Sequence, residues 1–227
     1  MFNWDGSNIT DFILNENIII EEGKYNKNTY WKIIKDNIYE ICLVKTSTNT
    51  FPCLIDELKI AFDLEKIGTH WIKFKSKIMI LKKLETRDNI VLEELTLNKI
   101  NFNKYLEAEV QKIFIFRELL GMTANFEKNI ILRNKGLYIK PISFNDNNMA
   151  PYSEGKVIPE TIINKWFKNS SLNEAILKMF GTKNINFVLL KLKSELEKIC
   201  LRVNKDLIIN IDEILTRIRS RMQFIAD

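Results

Sequence analysis

The hydrophobic period changes once along this chain, and no other feature constrains the fold so strongly. Up to about residue 97, apolar residues come in short β-branched and aromatic runs. These are Asn17–Glu21 (NIIIE), Thr29–Ile34 (TYWKII), Asn37–Lys45 (NIYEICLVK), Trp71–Phe74, Lys77–Leu84 and Ile90–Leu97. Turn-forming stretches at Gly23–Asn28, Lys35–Asn37 and Asp88–Asn89 separate them, so each run predicts a strand. Thr46–Thr50 (TSTNT) followed by Pro52 predicts a loop. One helix interrupts the series: Leu54, Leu58, Ala61, Phe62 and Glu65 are helically spaced, with Gly68 as the stop.

From Tyr105 the period is 3.6. Leu106, Val110, Ile113, Phe114, Arg117 and Leu120 share a helical repeat that Gly121 closes. Ile130–Arg133 and Leu137–Ile142 read as a hairpin around Asn134–Lys135–Gly136. After the polar loop Asn145–Gly155, Pro159 suits a first helical turn and nearly everything beyond it is helical. Ile185, Val188, Leu189, Leu192, Leu196, Ile199 and Val203 form one apolar stripe; Leu207, Ile211, Ile214, Leu215, Ile218 and Met222 form another. Such stripes bury against a helical bundle. The order predicts an α+β protein, with a strand-rich N-terminal lobe carrying one helix (1–98) and a mainly helical C-terminal lobe with a short hairpin (99–227).

Several function classes drop out on residue type. Cys42, Cys53 and Cys200 are odd in number and show no CxxC spacing, which argues against a disulfide framework and for a reducing compartment. The single histidine, His70, has no HExxH or HxxxH partner for zinc, and no nucleophile elbow accompanies it. The opening MFNWDGSNITDF lacks the basic start of a signal peptide. No apolar run approaches the about 18 residues that a membrane span needs. The expectation is an intracellular protein, cytoplasmic, in host cytoplasm or in a virion. The lean toward Asn, Ile and Lys fits A/T-rich codons, as in large DNA viruses, some bacteria and some parasites.

One segment carries a family resemblance. Leu119–Phe144, LLGMTANFEKNIILRNKGLYIKPISF, resembles the stretch of lipid and protein kinases that runs from catalytic loop to metal-binding loop. Shared features are LLG at a helix end, Asn129–Ile130 five residues beyond the catalytic position, a hairpin with Gly136, and an apolar strand ending in Ile142–Ser143–Phe144 where the family has Ile-Asp-Phe. The family's phosphoryl transfer uses an aspartate to orient the attacking hydroxyl, and an asparagine with a second aspartate to hold magnesium. Here the first aspartate is Ala124 and the second is Ser143; only Asn129 keeps its type. Asp146, three residues on, is the nearest substitute metal ligand. Lys45, ending Cys42–Leu43–Val44–Lys45, resembles the family's strand lysine, with Glu57 or Glu65 as its helix partner. No G-x-G-x-x-G loop is present, and only Gly23 lies near the first strands.

The resemblance therefore implies a degenerate kinase-like fold, with Lys45, Asn129 and Ser143 around any nucleotide cleft. It implies a non-catalytic interaction or regulatory protein with a protein partner and no cofactor. A divergent magnesium-dependent phosphotransferase using Mg-ATP and Asp146 is one alternative. A nucleic-acid-binding accessory protein is another. Net charge is +5, and the densest basic runs are Lys73–Lys83 (KFKSKIMILKK) and Arg217–Arg221 (RIRSR). They nominate Lys73, Lys75 and Lys77 on a strand face and Arg217, Arg219 and Arg221 at a helix end. The adjacent Glu93 and Glu94 point to opposite strand faces and cannot flank one glycosidic bond. Asn145–Asn148 lacks EF-hand spacing and reads as turn chemistry.

Overall fold

The computed structural model describes residues 17–25, 28–35, 38–47, 51–64, 69–74, 77–83, 89–91, 104–122, 130–133, 139–141, 157–168, 170–202 and 211–226. The fold is α+β. The chain divides into two compact units, the first comprising 1–57, 66–87 and 203–208, the second 58–65, 88–202 and 209–227.

In the first unit, β1 (Ile19–Tyr25), β2 (Asn28–Lys35), β3 (Ile38–Ser47), β4 (Thr69–Phe74) and β5 (Lys77–Lys83) form an antiparallel sheet in the order β1-β2-β3-β5-β4. Its register follows the alternation of the sequence. Trp31 faces Cys42 and Val44 faces Leu81, so apolar residues two apart on each strand meet on one face. Ile18, Trp31, Ile33, Cys42, Val44 and Leu81 make the core there, with Ile20 and Met79 against it. On the other face Lys32 pairs with Glu21 at 3.0 Å and lies over the Tyr39 ring, while Ile19 and Tyr39 are exposed.

Several boundaries differ from those expected. β1 runs through Gly23 to Tyr25, and β3 continues through Thr46 and Ser47, because both residues keep ladder partners on β5. Helix α1 (Phe51–Leu58) starts three residues earlier than its spacing predicts, with Pro52 in its first turn, where a missing N–H costs nothing. It tightens into a 3-10 turn, Lys59–Phe62, which Asp63 ends in the left-handed region at φ 54°. The Asp63 and Leu64 amides bond back to the carbonyls of Ile60 and Lys59. Aspartate tolerates that conformation better than most residues, so the chain leaves the helix before Gly68.

The second unit is built around α2 (Lys104–Leu120). The expected single stripe understates its burial: Ile113 through Leu120 are all buried, Arg117 and Glu118 included. The C-terminal half of α2, buried on all sides, is a core element rather than an amphipathic cover. Around it lie α3 (Glu160–Trp166), α4 (Leu172–Met179), α5 (Ile185–Arg202) and α6 (Ile211–Ala226). Val188, Leu189, Leu192, Leu196 and Ile199 on α5, and Ile214, Ile218 and Met222 on α6, are buried as their stripes predict. Phe62 meets the Phe116 and Phe180 rings edge-on at 5.0 and 5.7 Å. Pro159 stands immediately before α3, its carbonyl accepting from Ile162 and Ile163. A small sheet, β6 (Asn89–Val91), β7 (Ile130–Arg133) and β8 (Ile139–Pro141), completes this unit. No described helix is long and apolar enough to cross a membrane.

Candidate functional site

The segment that resembles a kinase catalytic loop is held at both ends by described structure. At its start, α2 closes where LLG predicts. Gly121 takes φ 69°, its N–H bonds the Glu118 carbonyl at 3.0 Å, and the Met122 N–H bonds the Arg117 carbonyl at 2.9 Å. Those two bonds satisfy carbonyls that the helix end would otherwise orphan, and glycine adopts the required φ without a Cβ penalty. Gly121 and Met122 are both buried, so the chain leaves the helix from a fixed point.

That point is secured by an ion pair from the far end of the sequence. Arg221 on α6 donates its Nη2 to Glu118 Oε1 at 2.8 Å, and its Nε to the Glu118 backbone carbonyl. The same carboxylate accepts the amide of Val157, at 3.1 Å on Oε1 and 3.0 Å on Oε2, and the amide of Ile158 at 2.7 Å. Side-chain exposure is 7% for Arg221 and 1% for Glu118. A charge so thoroughly removed from water is tolerable only with donors on every side, and Glu118 has them. One side chain thereby fixes three elements: the end of α2, the approach to α3, and α6.

At the far end of the segment, β7 pairs antiparallel with β8, Ile130 opposite Pro141 and Leu132 opposite Ile139. β6 lies on the other side of β7, with Ile90 opposite Leu132. The β7–β8 pairing is the hairpin expected from the sequence, shortened to three residues on its second strand. The chain enters β7 directly from Asn129 and leaves β8 directly into Ile142–Ser143.

Lys45 lies on β3 opposite Ile80, which is buried. Glu57 is on α1. Ala124, Asn129, Ser143 and Asp146 lie outside the described residues, as do Glu65 and Lys75. Lys73 faces Ile78 across the β4–β5 ladder and Lys77 faces Phe74, which are positions of opposite pleat parity. At the helix end, Arg219 is exposed and Arg217 bonds Glu213 one turn away at 2.7 Å. Arg221 is committed to Glu118, so it belongs to the interior and not to a basic surface. Among the described residues no group of three His, Cys, Asp or Glu side chains is placed to hold a metal. Cys42 is buried in the sheet core and Cys200 is half-buried, and neither forms a disulfide. Burial pushes the Cys200 thiol up, its own backbone hydrogen bond opposes this, and Glu197 adds to the rise.

Sequence reasoning missed the Glu118–Arg221 anchor, although a signal was present. Glu118 interrupts the apolar run IFIFRELL, and Arg221 falls between Ile218 and Met222 on the buried stripe.

No known family profile matches the chain, and no curated protein matches it by sequence. Among solved structures, the chain is similar to a proinflammatory kinase of Helicobacter pylori, CtkA. The match covers 86% of this chain and 92% of that one, at 14% identity and a TM-score of 0.48.

Proposed function

We propose that this chain is a kinase-like protein whose phosphotransfer site is degenerate, and that it acts by binding a protein partner. The observation that carries the reading is the match between the catalytic-loop resemblance and the elements flanking it. α2 stops at Gly121 and β7 starts at Ile130, so LLG and Asn129–Ile130 fall at the element boundaries the resemblance requires. The lost groups carry the second half of the proposal. Ala124 has no side-chain acceptor to orient a hydroxyl, and Ser143 brings no formal negative charge to a magnesium ion held against phosphates. The Glu118–Arg221 pair supports a retained framework, since it stiffens the helix from which the loop departs. The Asn-, Ile- and Lys-rich composition supports an A/T-rich source genome such as that of a large DNA virus.

Transfer of radiolabel from γ-labelled ATP to the chain itself and to a generic protein substrate, with magnesium or manganese, tests the degenerate half. The expected result is no transfer above the level of a Lys45→Met variant. Metal-dependent transfer that Lys45→Met abolishes would establish the phosphotransferase reading instead, with Asp146 the first ligand to substitute.

A further inference from the structure

Helices α2, α3 and α4 line an open cleft of about 470 Å³. That volume lies in the range of ligand-binding clefts. Its floor is apolar and rigid: Ile115, Trp166 and Phe167 are all buried, and the Phe114 ring backs Trp166 at 6.0 Å. Gln111 donates its Nε2 to the Trp166 carbonyl at 2.6 Å and so ties the end of α3 to α2. Ala108 on α2 and Ala175 on α4 line the same cleft, and their short side chains leave it open.

The rim is cationic. Among the described residues, Lys112, Lys168 and Lys178 line the cleft, with Glu107 as its one carboxylate. Lys168 approaches Glu107 only to 3.7 Å and is largely exposed. Lys178 is exposed and pairs with no carboxylate among the described residues. Lys112, at the inner end, is already held by Asp63 at 2.7 Å and Glu109 at 2.9 Å. The two outer ammonium groups are therefore the ones available to an incoming anion.

We propose that this cleft captures an acidic segment of a partner protein. A large apolar side chain seats against Ile115, Trp166 and Phe167, and flanking carboxylates meet Lys168 and Lys178. Charge complementarity selects the occupant: an apolar floor behind two lysines suits a peptide that alternates large apolar and acidic residues. The inference concerns α2, α3 and α4 alone and stands or falls independently of any nucleotide chemistry at Lys45 and Asn129.

The test uses the full chain and a fluorescein-labelled twelve-residue peptide in which Asp and Glu alternate with Leu and Phe, read by anisotropy. A second peptide replaces every acid by its amide. Saturable binding of the acidic peptide is expected, with the amide peptide about ten- to hundredfold weaker, the range for lost charge-assisted contacts. K168E/K178E, at two exposed positions, should weaken the acidic peptide by a similar factor, and Ala108→Trp should weaken it by filling the mouth. Circular dichroism and melting of each variant establish that it is folded. No saturable binding of the acidic peptide would overturn the proposal. So would binding that folded K168E/K178E and Ala108→Trp variants retain, or preferential binding of a labelled DNA duplex lost in the same variants.

Discussion

Replacing Arg221 by methionine should be among the most damaging single changes in the second unit. Methionine keeps much of the volume and apolar reach of the arginine stem on a helix face already flanked by Ile218 and Met222. It removes the Nη2 bond to Glu118 Oε1 at 2.8 Å and the Nε bond to the Glu118 carbonyl. Among the described residues, the carboxylate is then left almost fully buried with the Val157 and Ile158 amides as its remaining donors. Removing one partner of a buried ion pair costs about 3–5 kcal/mol, and the two remaining amides favour the lower end, near 3 kcal/mol. For a chain of this size that corresponds to a melting temperature lower by about 6–12 °C. Glu118→Gln removes the charge but keeps one oxygen acceptor for the amides. The double variant Glu118→Gln/Arg221→Met should therefore lose less than the sum of the two singles, with a coupling of about 1–3 kcal/mol. Chemical denaturation followed by far-ultraviolet circular dichroism reads the four corners of the cycle. A loss below about 1 kcal/mol for Arg221→Met, or additivity within about 0.5 kcal/mol, would refute the claim that this pair anchors the end of α2.

Smaller effects test the local framework. Ser171 and Glu174 form a reciprocal cap at the start of α4, with bonds of 3.1 and 3.0 Å, so Ser171→Ala should cost about 1 kcal/mol in the same denaturation experiment. Gly181 ends that helix at φ 62°, and although a Cβ there would meet nothing, Gly181→Ala should cost about 1 kcal/mol through backbone strain alone. Lys112 gives a pH signature. Burial pushes its ammonium down, but bonds and charge from Asp63 and Glu109 outweigh that and hold it above 10.5. A raised folded pKa means its stabilisation is complete below the ordinary lysine value and is lost only as pH rises through the folded one. Stability measured from pH 7 to 11 should fall at the alkaline end, and Lys112→Met should flatten that fall. The gain is modest because the Asp63 side chain is 89% exposed.

The parts of this fold legible in the sequence are those decided by local physics. Trp31, Ile33, Cys42 and Val44 alternate because one face of a sheet must be apolar, and their register follows. Gly121 marked the end of α2 because a left-handed C′ position favours glycine. The hairpin at β7 and β8 was similarly visible. The S-x-x-E pattern at Ser171–Glu174 is equally local and marks the start of α4 within the helical tail. What stayed hidden depends on distant partners. Arg221 reads as part of a basic helix end because its carboxylate lies 103 residues away, and its place between Ile218 and Met222 on the apolar stripe is the local sign of burial. Arg217 and Arg221 are alike in sequence, yet one bonds Glu213 on its own helix and the other enters the core. The helix at Phe51–Leu58 ends earlier than its repeat predicts because Asp63 turns into the left-handed region and caps the 3-10 turn with its own amide.

We propose above a kinase-like framework in which Ala124 and Ser143 stand where the resemblance expects aspartates. Melting of the wild-type chain and of the Ala124→Asp/Ser143→Asp variant, each with and without millimolar Mg-ATP, tests it most directly. A ligand at a hundredfold excess over its Kd stabilises by about 2.7 kcal/mol, which is about 5–11 °C for a chain of this length. A magnesium-dependent rise of that order is expected in the variant and none in the wild type. A folded variant with no response to Mg-ATP would contradict the kinase-like framework, and an equal response from the wild type would contradict the loss of function at Ala124 and Ser143.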